Sequence, residues 1–152
     1  MIYPFDSPLG PISYAWDGVV CRHVWLEKSG CSESGHDDPV SLWLAAYFDA
    51  VGFDGTAVEL PPLIEPATLF QAKMRAALPA IPAGEVRTYG ELAKMLGTSP
   101  RAMGQALGAN PLPILIPCHR VIAVAGLGGF SCGLDWKKKL LRFEQAPYPD
   151  SS

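Results

Sequence analysis

Residues 88–104 read Thr88-Tyr-Gly-Glu-Leu-Ala-Lys-Met-Leu-Gly-Thr-Ser-Pro-Arg-Ala-Met-Gly104, two helix starts in quick succession. Thr88 and Glu91 make a capping box, in which the hydroxyl accepts from the Glu91 amide and the carboxylate reaches back to the Thr88 amide. Leu92, Met95 and Leu96 give the first helix its apolar side, and Gly97 ends it. Ser99 caps a second helix with Pro100 in its first turn. Two short helices joined by a glycine-containing turn form a helix-turn-helix pattern.

Projected at about 100° per residue, the second helix puts Arg101, Gly104, Gln105 and Gly108 on one side and Met103 and Leu107 on the other. Each interior glycine costs about 1 kcal/mol relative to alanine. That cost has a reason if a partner must approach the backbone closely, as a nucleic-acid groove would.

Upstream, residues 68–78 place Phe70, Met74, Ala77 and Leu78 on one helical face before Pro79 to Gly84 breaks it. Downstream, Pro117-Cys118-His119-Arg120 sits between the apolar runs Ile114-Leu115-Ile116 and Val121-Ile122. Burial alone would raise the thiol pKa and leave it inert; a cationic or hydrogen-bonded setting lowers it and makes a nucleophile. The helix expected over 135–145 carries Trp136, Leu140 and Leu141 as a stripe, with Glu144 in its middle. A carboxylate there is costly unless paired.

The first sixty residues are punctuated by turns. Ile12 to Trp16, the turn Asp17-Gly18 and Val19 to Leu26 read as a hairpin. Gly30 to Pro39 is a polar loop, and 40–51 a short helix with Leu42, Trp43, Ala46, Tyr47 and Ala50 at helical spacing. Gly52 to Pro66 is proline-rich and reads as an extended crossing. The expected fold is α+β. A small N-terminal antiparallel β lobe with a helix (1–62) precedes a helical C-terminal domain (63–152) holding the helix-turn-helix and the reactive-cysteine strand.

A hydrophobic content of 49% with 18% charged residues is globular rather than disordered. No apolar stretch reaches the roughly 18 residues of a membrane span, and the N-terminus lacks a signal-peptide pattern. The expectation is a cytoplasmic protein with no membrane partner. Four cysteines could form two disulfides, but a chain of this size builds a core without them, so free thiols are expected. The set Cys21, His23, Cys31 and His36 matches no common zinc spacing, and no metal is expected. Net charge is −3, yet residues 1–66 hold ten acidic and two basic residues while 67–152 hold five acidic and ten basic. Only the second part suits a polyanion.

Four segments converge: Arg87-Thr-Tyr-Gly-Glu-Leu-Ala93, Arg101-Ala-Met-Gly104, Asn110-Pro-Leu-Pro-Ile-Leu-Ile-Pro-Cys-His-Arg-Val121 and Gly129-Phe-Ser-Cys-Gly-Leu134. Together they resemble the O6-alkylguanine-DNA alkyltransferases, closely over about 67–145 and loosely at Asp6-Ser-Pro-Leu-Gly10. The resemblance implies irreversible, single-turnover transfer of the alkyl group of O6-alkylguanine in double-stranded DNA to Cys118, and leaves activity on O4-alkylthymine open. It implies His119 as the base acting through a water, Glu144 as the carboxylate that orients the imidazole, and Asn110 in the hinge leading to the reactive strand.

By the same resemblance Arg101 intercalates where the target nucleotide flips out, and Tyr89 contacts that nucleotide's backbone. Gln105, Gly104 and Arg120 join them at the DNA. Phe130, Ser131, Cys132 and Lys137 line the substrate pocket. The protein would act as a monomer without a cofactor. Phe130 stands where many members have tyrosine, and Cys132 where glycine is common, which places a second thiol beside the pocket. The stretch from Tyr89 to Arg101 is shorter than the family pattern.

Three other readings compete. A non-catalytic module could recognise alkylguanine and recruit other repair factors, but relatives of that kind lack the cysteine. A transcriptional regulator would need more base-reading residues than Arg101 and Gln105. A cysteine hydrolase would need an oxyanion motif that is not evident.

Overall fold

The computed structural model describes residues 2–26, 38–49, 59–123, 126, 128 and 133–146. Three antiparallel strands, β1 (Ile2–Ser7), β2 (Gly10–Trp16) and β3 (Cys21–Leu26), form a sheet in sequence order. The β2–β3 hairpin is the one the alternation predicts. Its turn is closed by Asp17, whose Oδ1 accepts from the amides of Val19 and Val20, each at 2.8 Å. Those amides, Val20 before Val19, hold the carboxyl down at about 2.

Strand β1 escaped the sequence reading because Pro4 and Asp6 are poor strand residues. An edge strand tolerates both. Ser7 fixes the register Ser7↔Gly10: its hydroxyl donates to Gly10 O at 2.6 Å and accepts from the Gly10 amide at 3.1 Å.

Helix α1 (Pro39–Asp49) packs over this sheet and buries Val40, Trp43, Leu44 and Tyr47. Leu42, assigned to the inner stripe by spacing, is half exposed. The i, i+3, i+4, i+7 series that starts at Val40 is the one that faces inward. The expected crossing after it is extended where described, and it adds to β3: the Cys21 amide donates to Pro62 O at 2.8 Å and the Ile64 amide to Cys21 O at 3.0 Å. These bonds straddle the boundary expected between residues 62 and 63.

Helix α2 (Leu69–Ala77) begins at the Thr68 cap and continues into a 3-10 turn, Leu78–Ala80. A short strand β4 (Arg87–Thr88) leads into α3 (Tyr89–Leu96), where both halves of the capping box form. Gly97 ends α3 in the left-handed region, with φ 69°, a conformation glycine adopts without steric cost. Ser99 then caps α4 (Pro100–Gly108) through the Ala102 amide at 3.1 Å. The shortened connection is therefore a compact turn with the start and stop chemistry intact.

Cys118 lies in a 3-10 turn, Cys118–Arg120, that feeds strand β5 (Val121–Ile122), rather than on the strand itself. Strand β5 runs parallel to β4, pairing Arg87↔Val121 and Thr88↔Ile122. Helix α5 (Leu134–Phe143) follows, with Trp136, Leu140 and Leu141 buried as its stripe predicts. One continuous apolar core joins Tyr14, Trp43, Met74, Leu92, Met103, Ile116 and Trp136, so both halves of the chain share it. Among the described residues no helix is long and apolar enough to cross a membrane.

Candidate active site

The segment 110–118 is held from three sides. Asn110 is buried, and its Nδ2 donates to Ile116 O at 3.1 Å while its Oδ1 accepts from the Leu112 amide at 3.0 Å. The Val24 amide of β3 donates to Pro111 O at 2.9 Å. Between these anchors Ile114 adopts φ 73°, a costly conformation for a β-branched residue. Such strain, of order 1–3 kcal/mol, persists only where the surroundings over-determine the backbone. The result is a fixed platform that delivers Cys118.

Cys118 is buried, and His119 wholly so. His119 Nε2 lies 2.8 Å from Glu144 Oε2. Burial by itself would raise the Glu144 carboxyl, but His119 and then Arg120 outweigh it and hold it well below the usual carboxylate range. An ionised carboxylate only accepts, so Nε2 carries the proton and donates. That leaves Nδ1, buried and without a hydrogen-bond partner among the described residues, as the basic atom of the neutral ring. Sequence spacing placed Glu144 on a buried stripe, and the tertiary structure supplies the pairing that makes a carboxylate tolerable there.

Arg120 requires a correction. Expected among the DNA-contacting residues, it is buried and turned inward. Its Nε donates to Glu144 Oε1 at 2.9 Å, its Nη2 to Oε2 at 2.8 Å, and its Nη1 to Ile81 O at 2.7 Å. Glu144 alone would leave a buried net charge, and the guanidinium fork neutralises it in two-point geometry. Sequence gave one usable signal: a cation immediately before the apolar pair Val121-Ile122 needs a buried partner.

Sequence reasoning also missed Tyr47, whose hydroxyl donates to Glu144 Oε2. It was read only as an apolar member of the α1 stripe. Its phenolic proton is retained, because burial, and after it the Glu144 charge, push its pKa well up.

Lys137 is fully buried, with its Nζ donating to Val121 O at 2.6 Å and lying 5.8 Å from the Tyr89 ring centroid. Burial lowers its pKa to about 8, against an opposing contribution from Cys118. The interaction is mutual, so the ammonium favours the thiolate form of Cys118. Gly128, at φ 73°, lies so close to the Tyr89 ring that a Cβ there would sit 2.5 Å from the phenol oxygen.

Along α4 the split predicted by projection holds: Met103 and Leu107 are buried, while Arg101, Gln105 and Gly108 are exposed and Gly104 is intermediate. A Cβ added at Gly104 or Gly108 would meet nothing within 4 Å. Packing among the described residues therefore gives no reason for either glycine. Phe130, Ser131 and Cys132 lie outside the described residues, as do Cys31 and His36. Cys21 is buried on β3, where desolvation raises its thiol to about 12, the mark of an inert structural cysteine. Cys21 and Cys118 are not joined to each other by a disulfide.

Comparison with known proteins gives a consistent set of likenesses. A family model described as the DNA-binding domain of 6-O-methylguanine DNA methyltransferase matches residues 69–146. A methylated-DNA–protein-cysteine methyltransferase of Sulfolobus acidocaldarius is 40% identical over 144 residues, spanning 92% of this chain and 90% of that one. One from Saccharolobus solfataricus is 37% identical over 147 residues, 96% of each. The crystal structure of the Mycobacterium tuberculosis O6-methylguanine methyltransferase matches with a TM-score of 0.76 at 34% identity, covering 97% of this chain and 96% of that one. A Mycobacterium tuberculosis relative solved in complex with DNA matches with a TM-score of 0.74 at 35% identity, covering 96% and 94%.

Proposed function

This chain belongs to the methylated-DNA–protein-cysteine methyltransferase family, which repairs DNA by alkyl transfer, and we propose that Cys118 is its single-use acceptor. The observation that carries the reading is His119 itself: Nε2 is committed to an ionised Glu144, and Nδ1 is buried with no partner among the described residues. A neutral imidazole so fixed accepts the thiol proton at Nδ1, through one water. The thiolate then attacks the alkyl carbon; the carbon–sulfur bond forms as the carbon–O6 bond breaks, and guanine departs with that electron pair and is protonated. Lys137 favours the thiolate across a buried, low-dielectric site. A module that only recognised the lesion would have no use for this array.

The helix-turn-helix supplies the other half of the reaction. Strands β4 and β5 pair the start of α3 directly with the segment after Cys118, which ties the helix-turn-helix to the turn that carries the nucleophile. The O6 substituent is unreachable within the base stack, so the nucleotide rotates out of the duplex. Arg101 fills the gap, Tyr89 holds the flipped nucleotide's backbone, and Gly104 and Gln105 lie along the groove. Asn110 keeps the platform below the base. By the family resemblance, Phe130, Ser131 and Cys132 belong to the substrate pocket. The protein works as a monomer on O6-alkylguanine in duplex DNA in the cytoplasm and needs no cofactor.

Intact-mass measurement after incubation with an O6-methylguanine duplex tests this reading. Wild type should gain one methyl group, located on the peptide containing Cys118. Cys118→Ala should bind the duplex and gain nothing. A methyl group acquired equally by the variant overturns the assignment.

A further inference from the structure

We propose that Tyr47, from the N-terminal helix α1, is a positioning residue for alkyl transfer, acting through Glu144 on His119. The proposal rests on the reading of Cys118 and His119 given above and assigns the acidic N-terminal part a direct share in the chemistry. Three donors converge on Glu144 Oε2: His119 Nε2, Arg120 Nη2 and the Tyr47 hydroxyl. His119 and Arg120 come from the same turn as the nucleophile; Tyr47 stands 97 residues before Glu144 in the chain. No other hydroxyl among the described residues bonds to this carboxylate.

The tyrosine ring is placed with care. It stacks on Trp43 with centroids 5.6 Å apart, meets Phe48 edge-on at 4.9 Å, and leans on Phe143 at 5.5 Å. Phe143 is the last residue of α5, immediately before Glu144. Phe48 in turn packs against Phe5 of β1 at 6.0 Å. An aromatic bridge thus runs from the N-terminal sheet through α1 to the carboxylate, and rigid packing of this kind fixes a side chain better than one hydrogen bond could.

What the hydroxyl does follows from charge sharing. The groups facing the Glu144 carboxylate are Arg120 and His119 from the 3-10 turn and Tyr47 from α1, while Lys137 of α5 faces Cys118 instead. Arg120 keeps the carboxylate ionised with or without Tyr47. The phenol takes up part of the charge on Oε2 and limits how strongly that oxygen draws a proton toward the imidazole. Without it the carboxylate leans harder on His119 and favours the charged ring over the neutral base. The oxygen also loses one of its three restraints and the ring one source of orientation.

The test is Tyr47→Phe, which keeps the ring in its cluster and removes only the oxygen. Phe48→Leu loosens the same cluster without touching Glu144 and serves as the packing control. Single-turnover transfer is measured on an O6-methylguanine duplex across pH, alongside duplex affinity and thermal midpoint. Tyr47→Phe should react roughly three- to tenfold more slowly at saturating DNA, with duplex affinity unchanged and the acidic limb of the pH–rate profile moved to higher pH. Phe48→Leu should lower the midpoint and leave that limb in place. If Tyr47→Phe reacts like wild type at every pH, or shares the profile of Phe48→Leu, the positioning role is wrong. Failure of wild type itself to gain a methyl group would instead sink the assignment of Cys118.

Discussion

Arg120 and Glu144 meet in a two-point ion pair, Nε to Oε1 at 2.9 Å and Nη2 to Oε2 at 2.8 Å, entirely inside the protein. The pair lets a carboxylate sit beside a buried imidazole without the cost of an isolated charge. It also takes Arg120 away from any DNA surface, although it adjoins the nucleophile in a basic half of the chain.

Arg120→Lys follows directly from that geometry. An ammonium cannot reproduce the fork, so one carboxylate oxygen loses its cationic partner. We expect a stability loss of about 1–3 kcal/mol and transfer at least about tenfold slower, with duplex affinity unchanged. Denaturant titration, single-turnover kinetics and a binding isotherm check the three parts. A drop in affinity with a shallower salt dependence would show a phosphate contact instead.

Gly104→Ala should separate stability from binding. Nothing lies within 4 Å of the added methyl, and α4 gains about 0.5–1 kcal/mol of helix propensity. If the backbone of α4 approaches DNA at this point, duplex affinity falls by roughly 1 kcal/mol or more in the same variant. Thermal melting and fluorescence anisotropy give the two numbers. Greater stability with undiminished affinity would move the DNA away from this face.

Acid stability carries the sign of the Glu144 network. Its carboxyl, ordinarily at 4.5, is held well below that in the folded protein by His119 and Arg120 against the opposing pull of burial. The ionised network therefore contributes stability in full above about pH 4.5, and that contribution is lost as pH falls toward the lowered folded value. Glu144→Gln, less stable at neutral pH, should show a flatter decline as pH falls below about 4.5. Chemical denaturation at a series of pH values would reveal parallel slopes if Glu144 were uncoupled. Lys137 acts in a separate window: burial lowers it to about 8, so its contribution rises with pH from there toward its ordinary 10.5.

Local chemistry was legible in the sequence wherever one segment sufficed. Thr88 with Glu91, Ser99 with Pro100, and Gly97 after Leu96 each specify a helix end from neighbouring residues, and all formed. The α4 faces followed from periodicity alone. Strand β1 did not, because its pairing with β2 overrides the weak strand preference of Pro4 and Asp6. The inner face of α1 was misjudged at Leu42, since several apolar registers fit its sequence and only the sheet beneath selects one.

The sequence by itself determined that a thiol and an imidazole stand together behind a helix-turn-helix, with a carboxylate on an apolar stripe farther along. Only the tertiary structure decided who partners that carboxylate. Arg120 turns inward and Tyr47 arrives from the opposite end of the chain because a buried negative charge must gather donors from whatever elements the core brings within about 3 Å. Distance along a chain records nothing of that neighbourhood. The burial that makes Glu144 costly, and so forces its pairing, exists only once both halves share one core.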